Sequence, residues 1–218
     1  MIDELVARAR RFVESGAAPA ALRLSATVLL LRPGVEVYLQ RRAASMAFAS
    51  GMYVFPGGTV DAADFDGPPL AREWPARLGL PEREAWAVVR AAVRELTEET
   101  GVRVAPGDLV PWSRWVTPVF EPRRYDTSFF LAALPDGQEP ADVSGEADRT
   151  LWLSPAEAVA RFESGEIVML PPTVVTLRGL TGFESVDAAL AAASERDAAT
   201  PIEPRVEWAA DGTGRFVV

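Results

Sequence analysis

One helix constrains the fold of this chain more than any other segment. Residues 81–100 are predicted to form it, with Gly101 as the C-terminal stop. Its apolar residues recur at helical spacing and are expected to face a core; they are Ala85, Val88, Val89, Ala92 and Leu96. Within a single turn, Glu95, Glu98 and Glu99 stand at i, i+3 and i+4 on one face. Like charges so spaced destabilise a helix by about 0.2–0.5 kcal/mol per pair, so this concentration of acids calls for an explanation.

Strands and helices on both sides of this helix predict a mixed α/β (α+β) fold. A helix at 3–15 is followed by a β-hairpin with strands 22–31 and 35–40. Further strands are expected at 109–116, 128–134 and 151–153, further helices after the cap Ser154, at 174–180 and at 185–196, and a closing hairpin around Asp211-Gly212. Residues 61–81 are polar and proline-rich, which predicts an inserted loop with two small helical pieces. A chain of 218 residues is most economically one domain.

The composition excludes several kinds of catalysis. All 22 basic residues are arginines, and the chain contains no lysine, histidine or cysteine. A thiol nucleophile, a Schiff-base lysine, an imidazole base, a Ser-His-Asp triad and a Cys/His zinc site are therefore impossible. Any catalysis must rest on carboxylates, hydroxyls, arginines, backbone groups and bound ions.

The charge and the apolar segments bear on partners and location. The net charge of −9 argues against a nucleic-acid-binding surface, since binding of phosphate backbones needs clustered cations. An acidic protein can still bind a phosphate-bearing small molecule if a metal ion or a local arginine cluster supplies the positive charge. The N-terminus lacks the pattern of a signal peptide, and the longest apolar run, near ATVLLL, is too short to span a membrane. A cytoplasmic location without a membrane partner is the resulting expectation.

The acidic helix face has two interpretations. Glu-rich helix segments are commonly solvated surfaces, whereas several carboxylates on one rigid face suit a hard divalent cation such as Mg²⁺. The neighbouring sequence favours the cation. Upstream, FPGG ends a strand in Gly57 and Gly58, where the backbone can approach an ion closely and offer a carbonyl. Arg94 immediately precedes Glu95, and its guanidinium can orient carboxylates through bidentate hydrogen bonds.

Together, the segments FPGG and AAVRELTEETGV resemble the Nudix hydrolase signature, G-x5-E-x7-R-E-U-x-E-E-x-G-U, where U is aliphatic. The second half is complete and in register, with Arg94, Glu95, Leu96, Glu98, Glu99, Gly101 and Val102. The first half departs from the pattern, because Asp64 stands at the first acidic position and an insertion at about 65–83 separates the two halves. Asp64 or Asp61 is expected to substitute partly for that first acid.

The resemblance implies a Nudix-type α/β/α sandwich with a mixed β-sheet, formed by residues 1–218 as one domain. The ligands it implies for Mg²⁺ or Mn²⁺ are Glu95, Glu98, Glu99 and the backbone carbonyl of Gly58. It also implies that Arg94 holds the loop and the acids in place. The implied reaction is attack of a metal-activated water on phosphorus in a diphosphate-linked nucleoside. The general base is left open among Glu95, Glu98 and the loop acid Glu146.

The stretch LQRRAASMAFASGMYVFPGG is similar to the region before the signature in coenzyme A diphosphatases of this family, which has the form R-S-x3-R-x3-G-x3-F-P-G-G. The matching residues are Arg42, Gly51, Phe55, Pro56, Gly57 and Gly58. Ala43 replaces the serine, and Ala47 replaces the second arginine, a natural partner for the extra phosphate of coenzyme A. Residues that could compensate are Arg41, Arg123 and Arg124. The substrate contacts predicted on this basis are Arg42, Gly57, Arg123, Arg124 and Phe130, with a solvated turn as the open alternative for the 123–124 pair.

The leading hypothesis is a Mg²⁺- or Mn²⁺-dependent diphosphatase acting on coenzyme A or an acyl-coenzyme A, with no nucleic-acid or membrane partner. Within the enzyme class, the alternative substrate is ADP-ribose or a dinucleotide such as NADH. A different class is a Nudix-fold ligand sensor without turnover, which the intact acids disfavour. Family members often dimerise, so a homodimer is a further expectation, with helix 3–15 and the 65–83 insertion as candidate contacts.

Overall fold

The computed structural model describes residues 2–45 and 49–217, and within them the chain forms six α-helices and ten β-strands. The helices are α1 (Ile2–Ser15), α2 (Trp74–Leu78), α3 (Glu82–Thr100), α4 (Pro155–Glu163), α5 (Pro171–Leu180) and α6 (Val186–Ser194). The strands are β1 (Leu22–Arg32), β2 (Glu36–Arg42), β3 (Tyr53–Val54), β4 (Gly57–Thr59), β5 (Val110–Val116), β6 (Arg124–Ala133), β7 (Ala147–Leu153), β8 (Pro201–Ile202), β9 (Arg205–Trp208) and β10 (Gly214–Val217). Short 3₁₀ turns cover Ala62–Phe65 and Pro106–Asp108.

Eight of these strands form one mixed sheet around β1. The order along the sheet is β3-β2-β1-β6-β5-β8, with β4 also paired to β1 and β7 to β2. β1 and β6 run parallel from Leu22↔Arg124 to Leu31↔Ala133, whereas β1 meets β2 and β4 in antiparallel orientation. β9 and β10 form a separate antiparallel hairpin, at the position predicted for it. The mixed sheet confirms the predicted fold class.

Helices cover both faces of the sheet because its central strand is apolar on both sides. β1 is buried without interruption from Ser25 to Leu31, which is typical of a strand covered on both faces. Val28 and Leu30 pack in a core cluster with side chains of α2 and α3. Leu29 and Leu31 pack in the opposite cluster with side chains of α4, α5 and α6. The layers are therefore α/β/α, as expected.

α3 lies on the first of these faces and carries the acidic turn. All of its residues predicted to face the core are fully buried, namely Ala85, Val88, Val89, Ala92 and Leu96. The helix ends at Gly101, which adopts a left-handed conformation (φ 75°) and donates its N–H to the carbonyl of Thr97 at 2.9 Å. The predicted start, period and stop of this helix are confirmed.

The insertion at about 65–83 belongs to the core of the molecule. It contains α2, whose Trp74 and Leu78 are buried in the cluster beneath α3. The indole of Trp74 meets the ring of Phe130 edge-on, with centroids 6.1 Å apart. The insertion thus extends the helical layer on the α3 face, and the two small helical pieces expected within residues 61–81 are both present.

Two strands begin earlier than predicted because polar residues occupy their ends. β6 begins at Arg124 and β7 at Ala147, where the residues pair with neighbouring strands and most of their side chains stay partly or fully exposed, although Asp126 is buried. Exposed strand ends carry no apolar alternation for sequence analysis to detect.

Within residues 2–45 and 49–217, no helix has both the length and the apolar character needed to cross a membrane.

Candidate active site

The acidic turn of α3 packs directly against the double glycine of β4. Gly57 and Gly58 pair with Thr27 and Ala26 of β1, which fixes this short strand in the sheet. A Cβ atom added to Gly58 would overlap the carboxylate of Glu95, and one added to Gly57 would overlap the backbone of β1. Gly57 therefore permits the close approach of β4 to β1, and Gly58 leaves room for the carboxylate of Glu95.

Glu99 is buried and held in one orientation. Glu99 is only 4% exposed. Its Oε2 accepts hydrogen bonds from the backbone N–H of Gly57 at 2.9 Å and from Nε2 of Gln40 at 2.5 Å. Burial raises the pKa of Glu99 to about 7, against the opposing effect of these two donors. With Oε2 engaged twice, Oε1 is the oxygen left for another ligand.

Gln40 is a site residue that the sequence analysis missed. It lies in β2, is 2% exposed, and points to the α3 face. Its Oε1 is buried without a hydrogen-bond partner in the described part of the chain, so an unsatisfied acceptor lies beside the acidic turn. One sign of its role is present in the sequence, a polar amide directly after three residues with largely apolar side chains, Val37, Tyr38 and Leu39, in the same strand.

Arg94 joins the loop after β4 to the acids of the helix. Its Nε and Nη2 donate to the two oxygens of Asp64 at 3.1 and 2.8 Å, and Nη2 also donates to the carbonyl of Thr59 at 3.0 Å. Its Nη1 donates to Glu95 at 2.9 Å and to Glu98 at 3.0 Å. The hydrogen bonds that Arg94 donates to Asp64 raise the pKa of Arg94 despite its partial burial. One guanidinium thus contacts three carboxylates and the loop backbone.

Asp64, rather than Asp61, occupies the place of the first acid of the signature. Its side chain is 5% exposed and accepts both hydrogen bonds from Arg94. Asp61 is 64% exposed and lies 3.9 Å from Arg94. Asp64 also accepts the backbone N–H of Asp61 at 2.8 Å, which closes the short 3₁₀ turn. The insertion therefore follows the first acid and leaves its contact with Arg94 intact.

Glu146 reaches the same region from the start of β7. Its carbonyl accepts the N–H of Ala43 at 2.8 Å, and its carboxylate lies 3.8 Å from the guanidinium of Arg42. Burial raises the pKa of Glu95, Arg94 opposes that shift, and the charges of Glu98 and Glu146 add to it. Glu146 also adds to the raised pKa of Glu99. Four carboxylates from two separate segments therefore share one electrostatic environment.

The donor set fits a divalent cation. In the described residues no three acidic side chains are placed together to hold a metal ion. Arg94 binds both Glu95 and Glu98 through Nη1. The groups present are oxygen donors, which Mg²⁺ and Mn²⁺ prefer. Burial is the largest cause of the raised pKa of Glu95 and of Glu99, and neighbouring carboxylate charges add to both shifts. The orphaned Oε1 of Gln40 is a further buried oxygen without a partner.

The structure separates the predicted substrate contacts. Arg42 lies near the acidic turn through Glu146. Arg124 donates to the carbonyls of Thr117 and Ala20 and stands level with Leu22 on β1. Gly58 is level with Ala26, so Arg124 lies about 13 Å away along the strand at 3.3 Å per residue. Arg123 is exposed beside it. Contact of this pair with substrate stays a prediction.

The prediction for Phe130 is wrong. Its side chain is 0% exposed and packs against Trp74 in the core beneath α2. The neighbouring Phe129 is also buried, in the opposite cluster. Both faces of β6 are covered at this point, so neither ring can contact a ligand. Ala47, which replaces the second arginine of the upstream motif, lies outside the described residues.

A family model agrees with this fold in the second half of the chain. Residues 104–180 match the model described as the NUDT19 Nudix domain. The matched stretch begins after α3 and runs from the loop before β5 to the end of α5. It is therefore independent of the acidic turn on which the signature depends.

Curated relatives resemble the chain at modest identity. Proteins named acyl-coenzyme A diphosphatase NUDT19 from Gallus gallus and Homo sapiens are each 28% identical to it, over 70% of this chain and 62% of theirs. A protein named putative nudix hydrolase 7 from Caenorhabditis elegans is 27% identical over 79% of this chain and 65% of its own. The chain spans less than two thirds of the length of these relatives.

Solved structures resemble the fold more completely. The crystal structure of a NUDIX hydrolase from Alicyclobacillus acidocaldarius superposes with a TM-score of 0.65 at 26% identity, covering 79% of this chain and 96% of that one. A MutT protein from Methanosarcina mazei Go1 superposes with a TM-score of 0.52 at 17% identity, covering 75% of this chain and 96% of that one. The second likeness concerns the fold alone.

Proposed function

We propose that this chain is a metal-dependent diphosphatase of the Nudix hydrolase type, acting on a nucleoside diphosphate derivative; its fold, its signature residues and its similarity to Nudix proteins support this. The observation that carries the proposal is the acidic turn of α3, where Glu95 lies against Gly58, Glu99 is bound by the N–H of Gly57, and Arg94 binds Glu95 and Glu98. Such a cluster is costly on a bare surface and useful only if a cation or a cationic group occupies it.

The proposed substrate is coenzyme A or an acyl-coenzyme A. Two relatives carry the name acyl-coenzyme A diphosphatase at 28% identity. The chain also carries Arg42, Gly51 and the FPGG turn at the spacing of the coenzyme A diphosphatase motif. ADP-ribose and NADH are the competing substrates, and they differ from coenzyme A in lacking its additional phosphomonoester.

The proposed metal ligands are Glu95, Glu98, Glu99 and the carbonyl of Gly58, for Mg²⁺ or Mn²⁺. When bound, the cation would neutralise the diphosphate and lower the pKa of a water molecule. Gln40 and the N–H of Gly57 would keep Glu99 turned toward it through their hydrogen bonds to Oε2.

We propose Glu146 as the first candidate for the general base among the three that the sequence leaves open. Glu95 and Glu98 are both engaged by Arg94. The Glu146 side chain is 46% exposed, and its ion pair with Arg42 is long, at 3.8 Å. A base must reach a water molecule without giving up strong hydrogen bonds, and Glu146 meets that condition best. A proton taken by its carboxylate would leave hydroxide to attack phosphorus, which releases two phosphomonoesters.

A substrate panel tests the proposal. The purified chain is incubated with coenzyme A, an acyl-coenzyme A, ADP-ribose, NADH and dinucleoside polyphosphates, each with Mg²⁺, with Mn²⁺ or with EDTA, and products are separated by chromatography. The expected result is metal-dependent cleavage with the highest kcat/KM for coenzyme A or its acyl derivative. Preferred cleavage of ADP-ribose or NADH would replace the substrate assignment. No turnover of any compound would overturn the enzyme assignment in favour of a ligand sensor.

A homodimer is a further proposal for the assembly. The exposed side of α1 and the outer surface of the 65–83 insertion are the surfaces proposed to meet. Light scattering coupled to size-exclusion chromatography, at several protein concentrations, tests it directly.

A further inference from the structure

A cavity lined by arginines lies near the end of β2. It encloses about 120 Å³ and is lined by Arg41 of β2, Arg149 of β7 and Arg161 of α4, with the buried Tyr53 and residues 166–168 among its other walls. We call it the arginine cavity. The proposed reaction gives the cavity no role, although Arg41 is one of the arginines that could compensate for the missing arginine of the upstream motif.

The arginine cavity lies on the face of the sheet opposite α3. Leu39 and Leu151 are directly paired between β2 and β7, and both pack in the core covered by α4 and α5. Arg41 and Arg149 form the next pair with the same side-chain direction. Gln40 lies between Leu39 and Arg41 on β2, so its side chain points to the opposite face of the sheet, where it contacts Glu99. Adjacent residues of one strand therefore serve the acidic turn and the arginine cavity.

The pairing of Arg41 with Arg149 is unusual for a sheet. Like charges directly opposite on antiparallel strands destabilise the pairing. The cavity wall contains three guanidinium groups and one carboxylate, Glu166, in a chain whose net charge is −9. Three guanidinium groups therefore meet at one small cavity, and acids bind two of them.

The three arginines differ in how they are held. Arg41 is bound to Asp148 at 2.6 Å, and Arg161 is bound to Glu157 at 2.6 Å and to Glu166 at 3.2 Å. The exposed guanidinium of Arg149 has no side-chain hydrogen bond or ion pair within residues 2–45 and 49–217. The pKa of the neighbouring Asp148 is lowered chiefly by its hydrogen bond with Arg41, and the charge of Arg149 adds to that shift. The cavity thus offers the guanidinium of Arg149 beside two that are held in place by neighbouring acids.

The size of the cavity selects a small ligand. Its 120 Å³ equals about four water molecules at ~30 Å³ each. Pockets that hold whole drug-sized molecules enclose about 300–1,000 Å³. A single tetrahedral oxyanion fits the volume, and the planar guanidinium fork matches its oxygens.

We propose that the arginine cavity binds a phosphate group. The group has two sources: inorganic phosphate from solution, or a phosphomonoester of the substrate, and the second rests on the proposed function. In both cases the guanidinium of Arg149 donates to the phosphate oxygens, and Arg41 and Arg161, which are held in place by neighbouring acids, flank it.

Titration of metal-free protein with inorganic phosphate, followed by ¹H–¹⁵N NMR, tests the site without turnover. The expected result is saturable shifts of the amides of Gly51 and Val168, which line the cavity. Arg149→Gln should weaken binding by about tenfold or more, the scale of one lost charge-assisted hydrogen bond. Arg149→Lys, which keeps the charge but not the fork, should have an intermediate effect. Arg11→Gln makes the same charge change on the exposed side of α1 and should have none.

Unchanged phosphate affinity in a folded Arg149→Gln variant, or no shifts at the cavity in the wild type, would overturn the site.

Kinetics with coenzyme A and 3′-dephospho-coenzyme A then identify the source of the phosphate group. A lower kcat/KM for coenzyme A alone in Arg149→Gln assigns the cavity to the substrate's phosphomonoester. Equal kinetics for both compounds, with phosphate binding still lost, assign it to free phosphate. Failure of the wild type to hydrolyse either compound would overturn the proposed function while leaving the NMR result intact.

Discussion

Glu99 has an environment quite unlike that of a surface glutamate. It is buried, accepts hydrogen bonds from Gln40 and the N–H of Gly57, and neighbours the charges of Glu95 and Glu146. Burial is the largest cause of its raised pKa. The folded chain without metal therefore keeps a proton on Glu99 at pH values where an unfolded chain has lost it, so stability and cation binding are both coupled to pH.

The free energy of unfolding of metal-free protein is expected to fall as pH rises from 5 to 8. The pKa of Glu99 is about 7 when folded against an ordinary value of 4.5. The stability that comes from this raised pKa is fully present below pH 4.5 and is lost as the pH rises through about 7. The free energy of unfolding changes by up to about 3 kcal/mol over this range. Urea unfolding in EDTA at four pH values measures it. Glu99→Gln should show a flatter dependence, and an identical slope in both proteins would refute the assignment.

Gln40 is expected to stabilise the charged form of Glu99 through its 2.5 Å hydrogen bond. Gln40→Leu removes the donor and should cost about 1.5–3 kcal/mol at pH 8, where Glu99 is largely ionised, and less at pH 5. The matched control is Gln138→Leu, which removes hydrogen bonds to the backbone of Arg103 far from any buried acid. Its cost should not change with pH. Equal pH dependence in the two variants would show that Gln40 does not act through Glu99.

At the scale of elements, the site depends on how the loop after β4 is fixed to α3. Arg94 of the helix binds both oxygens of Asp64 and the carbonyl of Thr59. The same guanidinium also binds Glu95 and Glu98, so the position of the loop affects the positions of these two carboxylates. A substitution at Asp64 should therefore alter the positions of Glu95 and Glu98 through Arg94, without direct contact.

Asp64→Asn is expected to destabilise the fold by about 1–3 kcal/mol, because it converts a buried charge-assisted pair into a neutral hydrogen bond. It should also lower kcat, since Arg94 is then less firmly oriented. Asp61→Asn provides the matched control, since Asp61 is exposed and 3.9 Å from Arg94. Thermal unfolding and steady-state kinetics of both variants measure the difference. A larger effect at Asp61 would reverse the assignment of the first acid.

Elements with a strong period were predictable, and contacts between distant segments were not. The spacing of apolar residues and the glycine stop defined α3 correctly. Alternation could not place Phe129 and Phe130, because β6 is covered on both faces and offers no cleft side at that point. Gln40 was missed because a lone amide in a strand carries no sign of its partner 59 positions away. Motif spacing placed Asp64 at the first acidic position, but which of Asp61 and Asp64 contacts Arg94 depends on the path of the loop.

At the scale of the whole molecule, the two ends of the chain meet. Arg10 of α1 donates to the carbonyl of Gly212 at 2.5 Å, and its guanidinium lies 4.8 Å from the ring centroid of Trp208. Arg8 of the same helix forms an ion pair with Glu121, in the loop before β6, at 3.2 Å. We therefore propose that residues 1–218 form one domain, with α1 and the β9–β10 hairpin attached to the main sheet.

One domain should unfold in one transition. Far-UV circular dichroism and the fluorescence of the six tryptophans are expected to give the same urea midpoint. Arg10→Ala should lower that midpoint for both probes equally, because the chain ends are part of the cooperative unit. An early separate transition, seen in one probe and abolished by Arg10→Ala, would indicate that α1 and the hairpin form an independent unit.

The proposal that the acidic turn of α3 holds a catalytic divalent cation is tested most directly by kcat for coenzyme A hydrolysis in Glu98→Gln, measured with saturating Mg²⁺ or Mn²⁺. The Glu98 side chain is 58% exposed, so the variant should fold normally. Glu82→Gln, the same change in the exposed first turn of α3, is the control. A fall in kcat of at least about a hundredfold in Glu98→Gln alone is the predicted result. Near-normal kcat in Glu98→Gln would contradict the metal assignment.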